Sequence, residues 1–249
     1  MLGRLEMKFG VQENLNYQMS SLFHGVLMEQ LSAQYGEYLH QSRLHPYTQH
    51  LECRRKEWFW VINTLNQEAA KQIIHSALLP MEYVQVKQRG LEIPIQQKRF
   101  EECAYQELAD QFYFAEGGRY IQVHFITPTA FKQQGRYVFY PDLRCIYQSL
   151  MNKYDGAVKE ESMCDEDTLQ ELCRNSEIKQ YDLKSTWFYL EGVKIPSFIG
   201  KITIRLKGTQ TIANFANMLF RFGTYCGIGI KTALGMGAIR LIGRGERKA

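Results

Sequence analysis

At 249 residues the chain can build one large domain or two small ones, each with a full hydrophobic core. Its 45% hydrophobic content is that of an ordinary globular protein. A net charge of +4 and a pI of about 8.6 fall short of the strongly basic balance of a non-specific nucleic-acid binder, yet they allow a local basic surface.

The six cysteines (Cys53, Cys103, Cys145, Cys164, Cys173 and Cys226) show no C-x-x-C spacing and form no cluster with histidine. They read as buried free thiols in a reducing cytoplasm, with no structural zinc and no metal or other cofactor expected. The start "MLGRLEMKFG" alternates, so no signal peptide is expected. No apolar run reaches the roughly 18 residues that a membrane span needs, so no membrane partner is expected either.

Gly3–Val11 alternates and predicts a first strand. Ser20–Tyr35 carries Leu22, Phe23, Val26, Leu27 and Leu31 at helical spacing and predicts one helix, which Gly36 can end. Two strand-like runs follow, Gln49–Arg54 and Trp58–Leu65. Asn66–Leu79 predicts a helix with Asn66 as its N-cap, and Glu82–Gln88 a strand. The order to this point is βαββαβ.

The second half repeats that order with insertions. Gly118–Phe131 holds a strand. Arg136–Tyr154 holds a short strand and then a helix entered near Pro141. Asp165–Cys173 is a charged helix, and Lys184–Gly208 is two strands joined by a turn. Thr209–Gly223 is a helix, and Ala238–Ile242 the last strand. The expected class is α+β, as two tandem ferredoxin-like (βαββαβ) domains over residues 1–110 and 111–249, joined in the polar stretch between Glu101 and Gly118.

Between that last helix and strand lies "GIGIKTALGMG", Gly227–Gly237. Glycine serves positive φ or the close approach of another molecule's backbone, and a lysine among glycines usually faces an anion. A P-loop needs glycine before Lys231-Thr232, where Ile230 stands, and a strand-to-helix context that is missing. A Rossmann fingerprint lacks its third glycine. The bland alternative is a mobile turn.

This segment resembles the glycine-rich loop of the CRISPR-associated RAMP proteins, most closely that of the repeat-cleaving endoribonucleases, the sixth named CRISPR-associated family. "YLHQSRLHPYT" after the first helix and "FITPTAF" at the start of the second half are similar to that family too. The resemblance implies tandem ferredoxin-like domains in a prokaryotic cytoplasmic enzyme whose partner is CRISPR repeat RNA. It implies cleavage without metal, by attack of a 2′-hydroxyl on its own phosphate. A base, an acid and a positive group are then needed, and histidine suits the first two. No dense Asp/Glu cluster offers a two-metal alternative.

By this resemblance His40 falls on the family's catalytic histidine. His24 lies within one residue of a position often held by tyrosine. A third position, usually lysine, lands on Arg43 or His45. The candidate catalytic set is therefore His24, His40 and Arg43 or His45, with acid and base unassigned. His50, His75 and His124 read as structural. For the RNA backbone the candidates are Gly227, Gly229, Lys231, Thr232, Gly235 and Gly237, together with Lys194, Lys201 and Arg205 of the second-half hairpin. Arg54, Arg55 and Lys56 of the first hairpin are also candidate phosphate contacts. Trp58, Trp60 and Trp187 read as core residues. The acidic stretch Glu160–Glu171 is expected to face away from RNA. A non-catalytic RNA-binding RAMP subunit of an effector complex is the rival reading. Delivery of product to such a complex and a homodimer stay open.

Overall fold

In a computed structural model the described residues are 1–10, 15–42, 44–114, 117–158 and 165–243. The chain divides into two compact units. One comprises Met1–Cys103 with Lys231–Gly235, the other Ala104–Ile230 with Met236–Ala249. Among the described residues no helix is long and apolar enough to cross a membrane.

The first unit opens with β1 (Leu2–Gly10), whose alternation buries Leu5, Met7 and Phe9 on one face. Two helices follow where the sequence pattern suggested one: α1 (Ser20–Gln30) and α2 (Ala33–Gln41). Leu31 leaves the helical region at φ −80°, ψ 152°, and the Ser32 hydroxyl accepts from the Tyr35 N–H to start α2. The break is set by the cap, and Gly36 sits inside α2 without ending anything. β2 (Tyr47–Arg54) and β3 (Glu57–Thr64) form a hairpin that turns at Arg55 and Lys56, both with positive φ. Helix α3 begins as Gln67–Ala69, with the Asn66 side chain accepting from the Ala69 N–H, and continues through Ala70–Leu78 in wider turns.

β4 (Tyr83–Val86) does not complete the sheet as the sequence order suggested. It pairs with β5 (Leu91–Pro94) in a separate hairpin. The closing strand is β6 (Gln97–Cys103), antiparallel to β1 from Leu2↔Cys103 to Lys8↔Gln97. The sheet order is therefore β2-β3-β1-β6, with every neighbour antiparallel. Phe23, Val26 and Leu27 of α1 and Ile73, Ile74 and Leu78 of α3 are buried in one cluster with Leu5, Met7, Leu51, Trp60 and Ile62. Each such side chain contributes roughly 1.5–3 kcal/mol by leaving water.

The second unit begins with α4 (Tyr105–Phe114), then β7 (Tyr120–Thr129) and the small hairpin β8 (Phe131–Gln133) and β9 (Arg136–Val138). Helix α5 (Leu143–Ala157) is capped by Asp142 and α6 (Glu166–Arg174) by Asp165. The long hairpin β10 (Ser176–Leu190) and β11 (Val193–Leu206) leads to α7 (Gln210–Cys226), capped by Thr209, and to β12 (Ile239–Leu241). The sheet order β10-β11-β7-β12 repeats that of the first unit. Both units are thus βαββαβ sheets of the ferredoxin-like kind, as the sequence led one to expect.

The glycine-rich segment is held by specific bonds. Gly227 N–H donates to the Gly223 carbonyl, Ile228 N–H to Gly237, Ile230 N–H to Ala130 and Gly237 N–H to Pro128. Gly229 N–H donates to Ser149 Oγ at 2.8 Å, and Lys153 Nζ donates to the carbonyls of Cys226, Gly227 and Gly229 at 3.0–3.2 Å. A Cβ at Gly229 would fall on the Ala130 carbonyl oxygen, and one at Gly235, where φ is +106°, on the Ser20 side chain. Replacing Gly235 with Val is therefore expected to destabilise the fold itself. The left-handed backbone alone costs about 1–3 kcal/mol in a non-glycine residue. In a chain of this size the thermal midpoint drops roughly 2–4 °C for each kcal/mol. Differential scanning calorimetry checks this, and an unchanged midpoint would show that the site tolerates a side chain.

Candidate active site

Three histidines gather in the first unit. His24 lies on α1, one turn beyond Ser20. His40 lies in the last turn of α2, exposed, on the helix that the Ser32 cap creates. His45 lies just ahead of β2 and is also exposed. Tyr47, the first residue of β2 and fully buried, meets two of them. Its hydroxyl is 3.0 Å from His24 Nδ1, and the two rings stack at 6.3 Å with 8° between their planes. The His45 ring is 5.7 Å from the Tyr47 ring. Arg43, the alternative to His45, lies outside the described residues.

The electrostatics follow from this crowding. The His24 pKa is lowered to about 4, first by burial and then by the charges of His45 and His40. The His45 residue is exposed overall, but its ring is partly covered against Tyr47, and this desolvation first, then His40, lowers its pKa. Burial pushes the Tyr47 phenol far above its ordinary value, so its proton stays on at any working pH. The cluster therefore rests neutral at His24 and resists taking up several protons at once.

Tyr47 is the functional candidate that sequence reasoning missed. Its signal was present, since it stands in the "HPYT" run at the start of a strand. Nothing in a linear pattern says that its ring meets a helix residue 23 positions earlier. The other histidines lie elsewhere. His50 is buried in β2 with Glu52 4.0 Å away, His75 packs edge-on against Phe100, and His124 is in β7. Among the described residues no three of His, Cys, Asp or Glu stand close enough to hold a metal ion.

The basic candidates divide. Arg54 is committed inside the protein, bonded to both Glu6 carboxylate oxygens at 2.7 and 2.9 Å and to Glu52, so it is not available to a phosphate. Arg55 and Lys56 are exposed in their turn. Lys231 is exposed and Thr232 partly so, whereas Gly227, Gly235 and Gly237 are buried and Gly229 is half-buried. Lys194, Lys201 and Arg205 are exposed but spread along β11, Lys194 near the hairpin turn and the other two opposite His124 and Tyr120. Of the acidic stretch, residues 160–164 lie outside the described residues, and Glu166 pairs with Arg144.

Comparison with known proteins bears on this arrangement. Residues 123–239 match the family model of the CRISPR-associated endoribonuclease Cas6. A CRISPR-associated endoribonuclease Cas6 of Streptococcus thermophilus is 36% identical over 223 residues, spanning 88% of this chain and 89% of the relative. The Mycobacterium tuberculosis protein of the same name is 35% identical over 222 residues, spanning 88% of this chain and 70% of the relative. A solved Cas6 product complex superimposes with a TM-score of 0.78 at 20% identity over 97% of this chain and 99% of that one. Thermus thermophilus Cas6 does so with a TM-score of 0.66 at 19% identity, over 97% and 98%.

The depressed His24 pKa has a consequence for stability. Its folded-state value, about 4, lies below the 6.5 of an unfolded histidine. Between those pH values the unfolded chain holds the extra proton, so stability is full above about pH 6.5 and falls as pH drops toward 4. His45 acts in the same direction. The thermal midpoint is expected to decline through that window in the wild type and less steeply in His24→Asn. Nitrogen-detected NMR is expected to show His24 neutral at pH 6. A His24 that titrates at its ordinary value would contradict the geometry.

Proposed function

Because the chain belongs to the CRISPR-associated endoribonuclease Cas6 family, we propose that it cuts the repeats of precursor CRISPR RNA by a metal-independent transesterification carried by His24 and His40. The observation that carries this reading is the cluster of His24, His40 and His45, with Tyr47 against the first and the last.

His24 enters neutral and takes the proton of the 2′-hydroxyl. The freed oxygen attacks the adjacent phosphorus and the P–O5′ bond breaks. The departing 5′-oxygen takes a proton from His40, which is open to solvent. The products are a 2′,3′-cyclic phosphate and a 5′-hydroxyl. His45 supports the charged transition state, with Arg43 the alternative for that role. As negative charge gathers on the phosphorane, the penalty against protonating neighbouring imidazoles is relieved, and the proton moves easily onto His24. The RNA backbone is held by Lys231 and Thr232 and by Lys194, Lys201 and Arg205.

Tyr47 is a positioning residue. Its bond to Nδ1 leaves Nε2 as the working nitrogen. When Nε2 is the base, Nδ1–H donates to the Tyr47 oxygen and the phenol proton turns toward Met28 Sδ, 4.0 Å away. Removing the hydroxyl in Tyr47→Phe keeps the buried ring but frees the imidazole to rotate. Cleavage is expected to slow by up to about tenfold, the worth of one net hydrogen bond. Its acid limb should also move to a new pH, which a purely structural role would not do. An unshifted pH–rate profile in a folded Tyr47→Phe protein would remove Tyr47 from the mechanism.

His24→Ala and His40→Ala are each expected to cut single-turnover cleavage by about 10²–10⁴-fold with little change in RNA affinity. A repeat RNA with one 2′-deoxy nucleotide before the scissile phosphate should bind normally, resist cleavage and inhibit cutting of unmodified RNA. Cleavage of wild-type substrate should continue in EDTA. Cutting of the deoxy RNA, or wild-type rates in both histidine variants, would overturn the mechanism and leave RNA binding standing.

A further inference from the structure

The β10–β11 ribbon outruns its sheet. β7 accompanies β11 only between Arg205↔Tyr120 and Phe198↔Thr129, while the β10–β11 ladder continues to Leu190↔Val193. One face of this two-stranded tip is buried, because Phe188 and Ile195, paired across the ribbon, pack with Ala130 and Met236. Side chains alternate along a strand, so the pairs on either side, Trp187↔Pro196 and Tyr189↔Lys194, present the opposite face. Trp187 and Tyr189 are each 50% exposed there. This departs from the core role that the sequence pattern suggested for Trp187.

Two large aromatic rings left half in water forgo much of the burial that stabilises such side chains, and an exposed apolar patch is the informative kind of surface. Their spacing is specific. Residues i and i+2 of a strand repeat every ~6.8 Å, twice the ~3.4 Å rise between stacked bases. A flat heterocycle can lie against the exposed half of this face. The charge fits an anion, since residues 184–201 carry Lys184, Lys194 and Lys201 against Glu191 alone. Lys194 Nζ sits 5.6 Å over the Tyr189 ring, beside any ring stacked there.

We propose that the Trp187–Tyr189 face is a stacking platform for an unpaired base of the bound RNA, with Lys194 meeting that nucleotide's phosphate. This rests on the RNA-processing reading and deepens it. Stacking needs an open base face, so the platform selects a single-stranded stretch over a duplex, with little sequence preference.

The test uses the full chain at about 0.15 M salt, where backbone attraction is moderate. Fluorescence anisotropy measures binding of a labelled single-stranded repeat RNA and of a blunt duplex of the same sequence. Tryptophan emission is followed in parallel in the wild type and in Trp187→Phe, since Trp60 is buried, Trp58 partly buried and Trp187 the most exposed indole. Single-stranded RNA is expected to quench the emission. The double variant Trp187→Ala/Tyr189→Ala should weaken single-strand binding roughly 5–150-fold, the range reported for one stacked base. Trp187→Phe should restore most of it, duplex affinity should stay the same, and the thermal midpoint should be unchanged. Equal single-strand affinity in a folded double variant would overturn the platform while leaving the RNA reading intact. So would a shift from dimer to monomer in sedimentation with RNA affinity unchanged, which would make this face a contact between copies. A wild-type protein that neither binds nor cuts repeat RNA would overturn both.

Discussion

The buried amide of Gln49 spends every polar atom inside the first unit, and the candidate active site depends on it. Its Nε2 donates to the Ser20 carbonyl at 2.9 Å and to the Ala233 carbonyl at 3.0 Å, while its Oε1 accepts from Trp60 Nε1 at 2.9 Å. A buried amide with any of these partners missing costs roughly 1–3 kcal/mol, so strand β2, the start of α1 and residues 231–235 are specified together. Two residues earlier on the same strand face, Tyr47 bonds His24, which lies one helical turn beyond Ser20. Two strand residues span about 6.8 Å and one turn of helix about 5.4 Å, so the two rungs nearly match. Apolar packing alone lets a helix slide or roll on a sheet at small cost. Two polar rungs at matched spacing remove that freedom, and with it any uncertainty in where His24 points.

The glycines of the Gly227–Gly237 segment are explained by the same economy. Gly229 is glycine because its backbone lies against the Ala130 carbonyl, and Gly235 because Ser20 occupies the space of a side chain. Many of the segment's N–H groups are already bonded within the protein. What it offers an anion is concentrated at Lys231, exposed at φ 55°, where the chain enters the short turn that Gln49 holds through Ala233. Flexibility of composition has become rigidity of structure, and that rigidity holds a lysine at a defined point of the unit that carries the histidines.

Much of this was legible in the chain. Strong alternation in β1 and β7, the Asn66 cap, and the order of apolar segments carried the twofold βαββαβ reading. The parts that were hidden have physical reasons. β6, "QKRFEEC", is an edge strand with a largely exposed, charged surface and only Phe100 to mark an inner face, so periodicity passes over it. β4 looked like the missing strand because it alternates, yet alternation does not say which neighbour accepts its hydrogen bonds. The α1–α2 break depends on one serine hydroxyl at 3.3 Å from the Tyr35 N–H, and it moves His40 from a loop onto a helix. Arg54 read as a free cation because its partners, Glu6 and Glu52, are brought to it only by strand pairing. The His24–Tyr47 bond is likewise a product of the fold and has no linear signal.

On the proposed mechanism, burial and catalysis are compatible at the position of His24. A single imidazole lowered to about pH 4 is a poor base in isolation, because it surrenders a proton too readily. Here burial and the positive character of its neighbours jointly cause that weakness, and both causes change when a phosphodiester arrives. In the proposed reaction the phosphodiester brings a full negative charge beside His24 and His45, whose protonation burial and neighbouring imidazoles oppose, so protonating them becomes easier. On the proposed mechanism the resting protein keeps the His24 imidazole unprotonated until RNA supplies the charge that makes protonation favourable. On this argument the basicity of His24 belongs to the complex more than to the protein.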